Sequence, residues 1–166
     1  MTKYKVISNR RNFSLTEGDK ILGELIFLKW FSLNAVIKFN EKSDHKFETK
    51  GFWKQRIELF QNDIKLLELK MGWKGIEIET HFDKYPTTYR LKNKSIFSNK
   101  FTLIDSYDQV LLQIDSKFQW KKQRYDYEIT TSSEFDKITN DKILVFAIIY
   151  SINYRNASLA AAGAVA

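Results

Sequence analysis

The sequence predicts an all-β fold: a closed barrel of twelve antiparallel strands around one apolar C-terminal helix. Three observations carry that expectation. Apolar residues alternate with polar ones through most of the chain, the period of half-buried strands. A hairpin-sized unit recurs at a spacing of 44 residues. The chain then ends its patterned part with Ile143 to Ile152, a run apolar on every helical face.

The repeated unit comes first, because self-similarity at a fixed period constrains the whole fold. Phe13 to Leu25 lies over Ile57 to Leu69 without gaps, so that Leu15 meets Leu59, Asp19 meets Asp63 and Leu22 meets Leu66. Glu24 and Leu25 likewise meet Glu68 and Leu69. A third copy opens at Phe101, where Leu103 continues the match and, after one extra turn residue, Asp108, Leu111 and Ile114 follow. In each copy a short alternating segment reaches a polar turn at Glu17-Gly18-Asp19, Gln61-Asn62-Asp63 or Asp105 to Asp108. A second alternating segment leaves the turn, which is the pattern of a β-hairpin. The matching aspartates suit turns because their carboxylates hydrogen-bond nearby backbone. Glu24 and Glu68 are expected to face solvent. An aromatic-marked loop follows (Trp30-Phe31, Trp73, Trp120), then a third strand seen in Ile76/Ile78 and in Tyr125/Tyr127/Ile129. A fourth precedes each hairpin, around Tyr4/Val6, Phe47/Thr49 and Tyr89/Leu91.

Asn140-Asp141 then offers a helix N-cap. A helix apolar all round must be enclosed by protein or by membrane, and this run is about half the roughly 20 residues of a membrane span. The reading is one barrel domain over residues 1–156 with a helix at about 141–153, followed by an Ala-rich tail, 157–166. The tail extends the helix, frays, or is foreign to the native chain.

This layout resembles the tubby C-terminal fold, shared by tubby-like proteins, LURP-one-related proteins and phospholipid scramblases. The likeness covers about residues 3–154 and rests on the three hairpins and the final KILVFAIIYSINY segment. It implies the barrel-around-a-helix architecture. Tubby domains bind phosphorylated phosphoinositides through basic residues on the barrel wall, so the resemblance also implies an anionic ligand, without a motif that transfers those positions. Scramblase-like relatives carry palmitoylated segments, and this chain has no cysteine to acylate.

The chain of 166 residues fits one domain with a sizeable core. Without cysteine it has no disulfide, thiolate nucleophile or thiolate-bound zinc. The polar N-terminus, Met1 to Val6, lacks the apolar run of a signal peptide. A cytoplasmic protein, free or peripheral to a membrane, is expected. The net charge of +7 favours anionic surfaces.

Little else points to chemistry. His45 and His81 occur without neighbouring His or Cys and are expected on the surface or in loops. No Gly-rich phosphate loop, nucleophile elbow or HExxH occurs. No catalytic residue, cofactor or metal ligand is assigned, and a non-enzymatic module is expected. Two basic clusters remain, KGFWKQR at 50–56 and KFQWKKQR at 117–124. Lys54, Arg56, Lys121, Lys122 and Arg124 supply the charge, beside Trp53 and Trp120. Indole at headgroup level with cations against phosphate suits a membrane interface. Stacking tryptophan with arginine also suits nucleic acid, the less favoured partner. A plainer reading has both tryptophans anchoring barrel ends while the charges solvate them. The favoured function is binding of anionic phospholipid headgroups or a similar phosphorylated ligand. The alternatives are a small-molecule carrier or enzyme using the barrel interior, or a protein-interaction module.

Overall fold

A computed structural model describes residues 1–10, 12–28, 33–40, 44–50, 56–72, 75–94, 98–165. The strands are β1 (Lys3–Asn9), β2 (Asn12–Glu17), β3 (Lys20–Phe27), β4 (Ala35–Phe39), β5 (His45–Lys50) and β6 (Arg56–Gln61). They continue as β7 (Ile64–Gly72), β8 (Gly75–Thr80), β9 (Thr87–Asn93), β10 (Lys100–Ile104), β11 (Val110–Gln119) and β12 (Arg124–Thr131). A single helix, α1 (Asp141–Val165), follows a 3-10 turn at Phe135–Lys137. Each strand pairs antiparallel with the next, and β1 closes on β12 to complete the twelve-stranded barrel. Closure leaves no unpaired sheet edge.

The alternation read from the sequence is the inside–outside alternation of the wall. In β1, Tyr4 and Val6 are buried between exposed Lys3, Lys5 and Ile7; β12 does the same with Tyr127 and Ile129. Tight turns join the hairpins, with Gly18 at φ 56° and both Asn62 and Asp63 left-handed at 48° and 63°. Left-handed φ at both central residues is the demand of a type I′ turn, which Asn and Asp tolerate. The hairpins β2–β3, β6–β7 and β10–β11 each carry a register shift immediately after an inward leucine: Leu15, Leu59 and Leu103. Such bulges bend a strand and increase its twist, the deformation a sheet needs to close on itself.

α1 runs up the barrel axis. Tyr4 Oη donates to Asp141 Oδ2 (3.3 Å) at the end where the helix begins, called proximal below. Tyr150 Oη donates to the Leu33 carbonyl (2.6 Å) near the opposite, distal end. Between them Leu144, Phe146, Ile148 and Ile149 are fully buried. Tyr150 stacks between Phe27 and Phe47, with centroids at 5.6 and 4.2 Å. Ser151 Oγ donates to the Ala147 carbonyl (2.7 Å) and Asn153 Nδ2 to the Ile149 carbonyl (2.8 Å), so the polar side chains of the enclosed turns satisfy themselves along the helix. The helix packs against the inward side chains of the wall in one core.

Four expectations change. α1 does not stop near 153 but continues through the Ala-rich segment to Val165, because alanine is the strongest helix former and the segment has no breaker except Gly163. Asn140 is left-handed (φ 59°) with its carbonyl accepting the first helical N–H, from Leu144 at 3.2 Å. The side-chain oxygen at this terminus is instead Asp141 Oδ1, which accepts from Lys142 N at 2.8 Å. His45 is not a surface residue: it opens β5 facing inward, 5% exposed, with its ring edge-on to Phe39. Glu68 does not project into solvent but lies buried between Arg56 of the adjacent strand β6 and Lys65 and Lys70 of its own strand.

Candidate functional site

The two basic clusters meet the distal end differently. Trp53 and Lys54 lie outside the described residues. Arg56 opens β6, and its Nε sits 3.2 Å from Glu68 Oε1. Lys65 and Lys70 approach the same carboxylate at 3.2 and 3.7 Å. Burial raises the Glu68 carboxyl, but the Lys65 hydrogen bond and the charges of Lys65, Arg56 and Lys70 outweigh it and hold the group below its usual range. The cause is register. Glu48, Glu58, Glu68 and Glu79 stand opposite one another across β5 to β8, and the next row holds Lys50, Arg56 and Lys70. Like charges in direct register repel, so acidic and basic rows neutralise each other on this wall. Arg56 is thus paired within this wall, although its side chain stays 58% exposed.

The second cluster is the β11–β12 hairpin tip. Trp120 is 84% exposed, edge-on to Phe118 at 4.9 Å, and Phe118 in turn meets Tyr125 at 5.1 Å. Lys117 Nζ is held 2.7 Å from Glu128 Oε1, a bond that keeps that carboxyl below its usual range. Lys122 has only a 3.6 Å approach to Asp126. Lys121 and Arg124 have no carboxylate within ion-pair distance among the described residues. Gln123 adopts φ 52° to close the turn, presenting aromatic and cationic side chains together at the tip.

The clusters share an end but not a patch, since β6 and β11 stand five strands apart around the ring. The distal end is basic beyond them: Arg10, Lys94 and Arg155 also lie there. At the proximal end the turns carry Asp19, Asp63, Asp83, Asp105 and Asp136. Lys20, Lys84, Lys137 and Lys142 also lie at the proximal end, so charge leans acidic there and basic at the distal end.

Sequence reading missed two groups. Arg90 and Lys92 face outward on β9, flanking a groove of about 570 Å3 at Gly72 and Gly75. Their alternation with Tyr89 and Leu91 could have marked them. Both cations are bound to Asp108 Oδ1, at 3.0 and 3.3 Å. Phe118 and Arg155 were also missed: both line a cleft where α1 leaves the barrel. Among the described residues, no group of three or more His, Cys, Asp or Glu could hold a metal ion.

No protein-family model and no curated protein matches the chain. Among solved structures, the chain is similar to the X-ray structure of the Arabidopsis thaliana protein AT5G01750. The alignment covers 93% of this chain and 91% of that one at 11% identity, with a TM-score of 0.64. At that identity the likeness concerns the fold: a closed twelve-stranded antiparallel barrel with one C-terminal helix.

Proposed function

We propose that the protein is a non-catalytic module, cytoplasmic and peripheral to a membrane, whose distal end rests on anionic phospholipid headgroups. One observation carries this reading. The β11–β12 tip presents an exposed indole, a second aromatic ring and the cations Lys121, Lys122 and Arg124 at the more basic end of the barrel. Indole rings settle at headgroup depth, and each lysine or arginine near an anionic leaflet contributes about 1 kcal/mol.

Replacing Lys121, Lys122 and Arg124 by glutamine should weaken co-sedimentation with phosphatidylserine vesicles by roughly two orders of magnitude. Thermal stability should hardly change, because exposed charges contribute little to folding. Binding by the wild type should fall as salt rises from about 0.05 to 0.5 M, since screening shortens the reach of exposed charges. Undiminished binding by a folded triple variant, or no binding of the wild type to anionic vesicles, would remove the proposal.

The proximal end favours a second reading, a protein-interaction module. Ile21, Ile64, Tyr85, Tyr107 and Val110 are all exposed there, an apolar and acidic rim unsuited to an anionic bilayer.

A further inference from the structure

A cleft of about 460 Å3 opens where α1 leaves the barrel, between the helix and the distal ends of β10, β11 and β12. Phe101, Phe118 and Tyr125 form one wall; Leu159 and Ala160 form the other. Arg155 and Leu159 are spaced i, i+4 and share a helix face, as do Asn156 and Ala160. The small side chain of Ala160 helps leave the gap open. The Arg155 guanidinium stands 6.0 Å from the Phe101 ring centroid, and among the described residues no carboxylate lies within ion-pair distance of it. Among the residues lining the cleft, Arg155 is the charged one.

We propose that the cleft binds a single-chain anionic amphiphile, a long-chain carboxylate, with its hydrocarbon between the aromatic wall and Leu159 and its head on Arg155. The volume falls within the range of small-molecule sites, which combine apolar walls with a few polar groups that fix orientation. A neutral chain would bury the same hydrocarbon but leave the guanidinium without an anionic partner, and a cationic amphiphile would be repelled by it. A planar guanidinium can take both oxygens of one carboxylate. Leu159 is 48% exposed, so covering it removes apolar surface from water. The ligand enters from solution as a monomer, so this site does not depend on bilayer docking, and either can fail without the other.

The test is titration of the isotope-labelled protein with sodium dodecanoate below its micelle concentration, at about pH 8 where the carboxyl is ionised. Saturable one-to-one shifts should appear at Phe101, Phe118, Tyr125 and Arg155. Arg155→Gln should weaken binding by about tenfold, the order expected when a charge-assisted contact is lost. Ala160→Trp should fill the cleft and abolish binding, and dodecyltrimethylammonium should bind far more weakly than dodecanoate. Both substitutions fall on residues that keep solvent contact, and an otherwise unchanged spectrum reports an intact fold. Absence of saturable binding overturns the proposal. So does equal affinity for the two head charges, or unchanged affinity in a folded Ala160→Trp protein.

Discussion

His45 opens β5 pointing into the barrel, its Nδ1 buried with no hydrogen-bond partner among the described residues and its ring 5.5 Å from that of Phe39. Burial pushes the imidazole below its usual range, against a smaller opposite pull from Asp44. The unfolded chain therefore takes up a proton near about pH 6.5 that the folded chain resists. Where the unfolded state binds more protons, stability falls with pH, here by at most about 1.4 kcal/mol per unit. That loss begins as pH drops through the unfolded value and ends below the folded one. His45→Phe should lose less stability than wild type between pH 7.5 and about 5.5, measured as urea midpoints. Equal losses in both proteins would show that His45 protonates freely in the barrel. The carboxyls of Glu68 and Asp136, both held low in the folded state, act in a lower window. Their contribution is present above the ordinary carboxylate range and is lost as pH falls through their depressed values. The inward place of His45 was legible in principle, since His45, Phe47 and Thr49 alternate with Lys46, Glu48 and Lys50. The burial of Glu68 was not. It depends on Arg56 reaching Glu68 from the adjacent strand β6, which a single-strand pattern cannot convey.

The hairpins were readable because two local signals agree in them, period-two alternation and turn residues that accept left-handed φ. The bulges after Leu15, Leu59 and Leu103 were not, because an extra residue in one strand is defined only against its partner. The helix start was readable from Asn140-Asp141, whereas its end was ambiguous because helix propensity and burial part company after Ile152. One position within the hairpins shows how the helix shapes the wall around it. Leu15 pairs with Gly23, where Leu59 pairs with Leu67 and Leu103 with Leu112. A Cβ at Gly23 would fall 2.9 Å from the Lys38 carbonyl oxygen, 2.9 Å from Phe39 Cδ1 and 3.2 Å from Phe146 Cε2. The backbone carbonyl cannot swing aside as a side chain can, and Phe146 is fixed within the enclosed helix. Gly23→Ala should therefore destabilise by about 1–3 kcal/mol, the usual cost of overpacking, and lower the melting temperature by roughly 2–10 °C. An unchanged melting temperature would mean that α1 has slack at this level.

At the scale of the whole molecule the decisive quantity is where charge sits along the barrel axis. The net charge of +7 was plain from composition, but its lean along the axis was not. Successive turns alternate between the two ends, so residues close in sequence, such as Asp108 and Lys121, belong to opposite poles. The separation of Arg56 from the β11–β12 tip was hidden likewise, because it follows from ring order. A molecule with an acidic proximal end and a basic, aromatic distal end should meet an anionic bilayer in one orientation, with α1 steeply inclined to its plane. The absence of cysteine allows single labels to test this. Tyr107 is 89% exposed in the proximal β10–β11 turn, and Lys121 lies in the distal β11–β12 turn. An environment-sensitive dye on Lys121→Cys should brighten on phosphatidylserine vesicles and be quenched by brominated acyl chains. The same dye on Tyr107→Cys should respond to neither, while remaining open to an aqueous quencher. Both contrasts should fade together as salt is raised, because the field that orients the barrel is screened over about 10 Å at 0.1 M. Equal lipid quenching at the two labels would mean that the barrel lies on its side or binds in mixed orientations, and the polar arrangement of its charge would then have no bearing on how it meets a membrane.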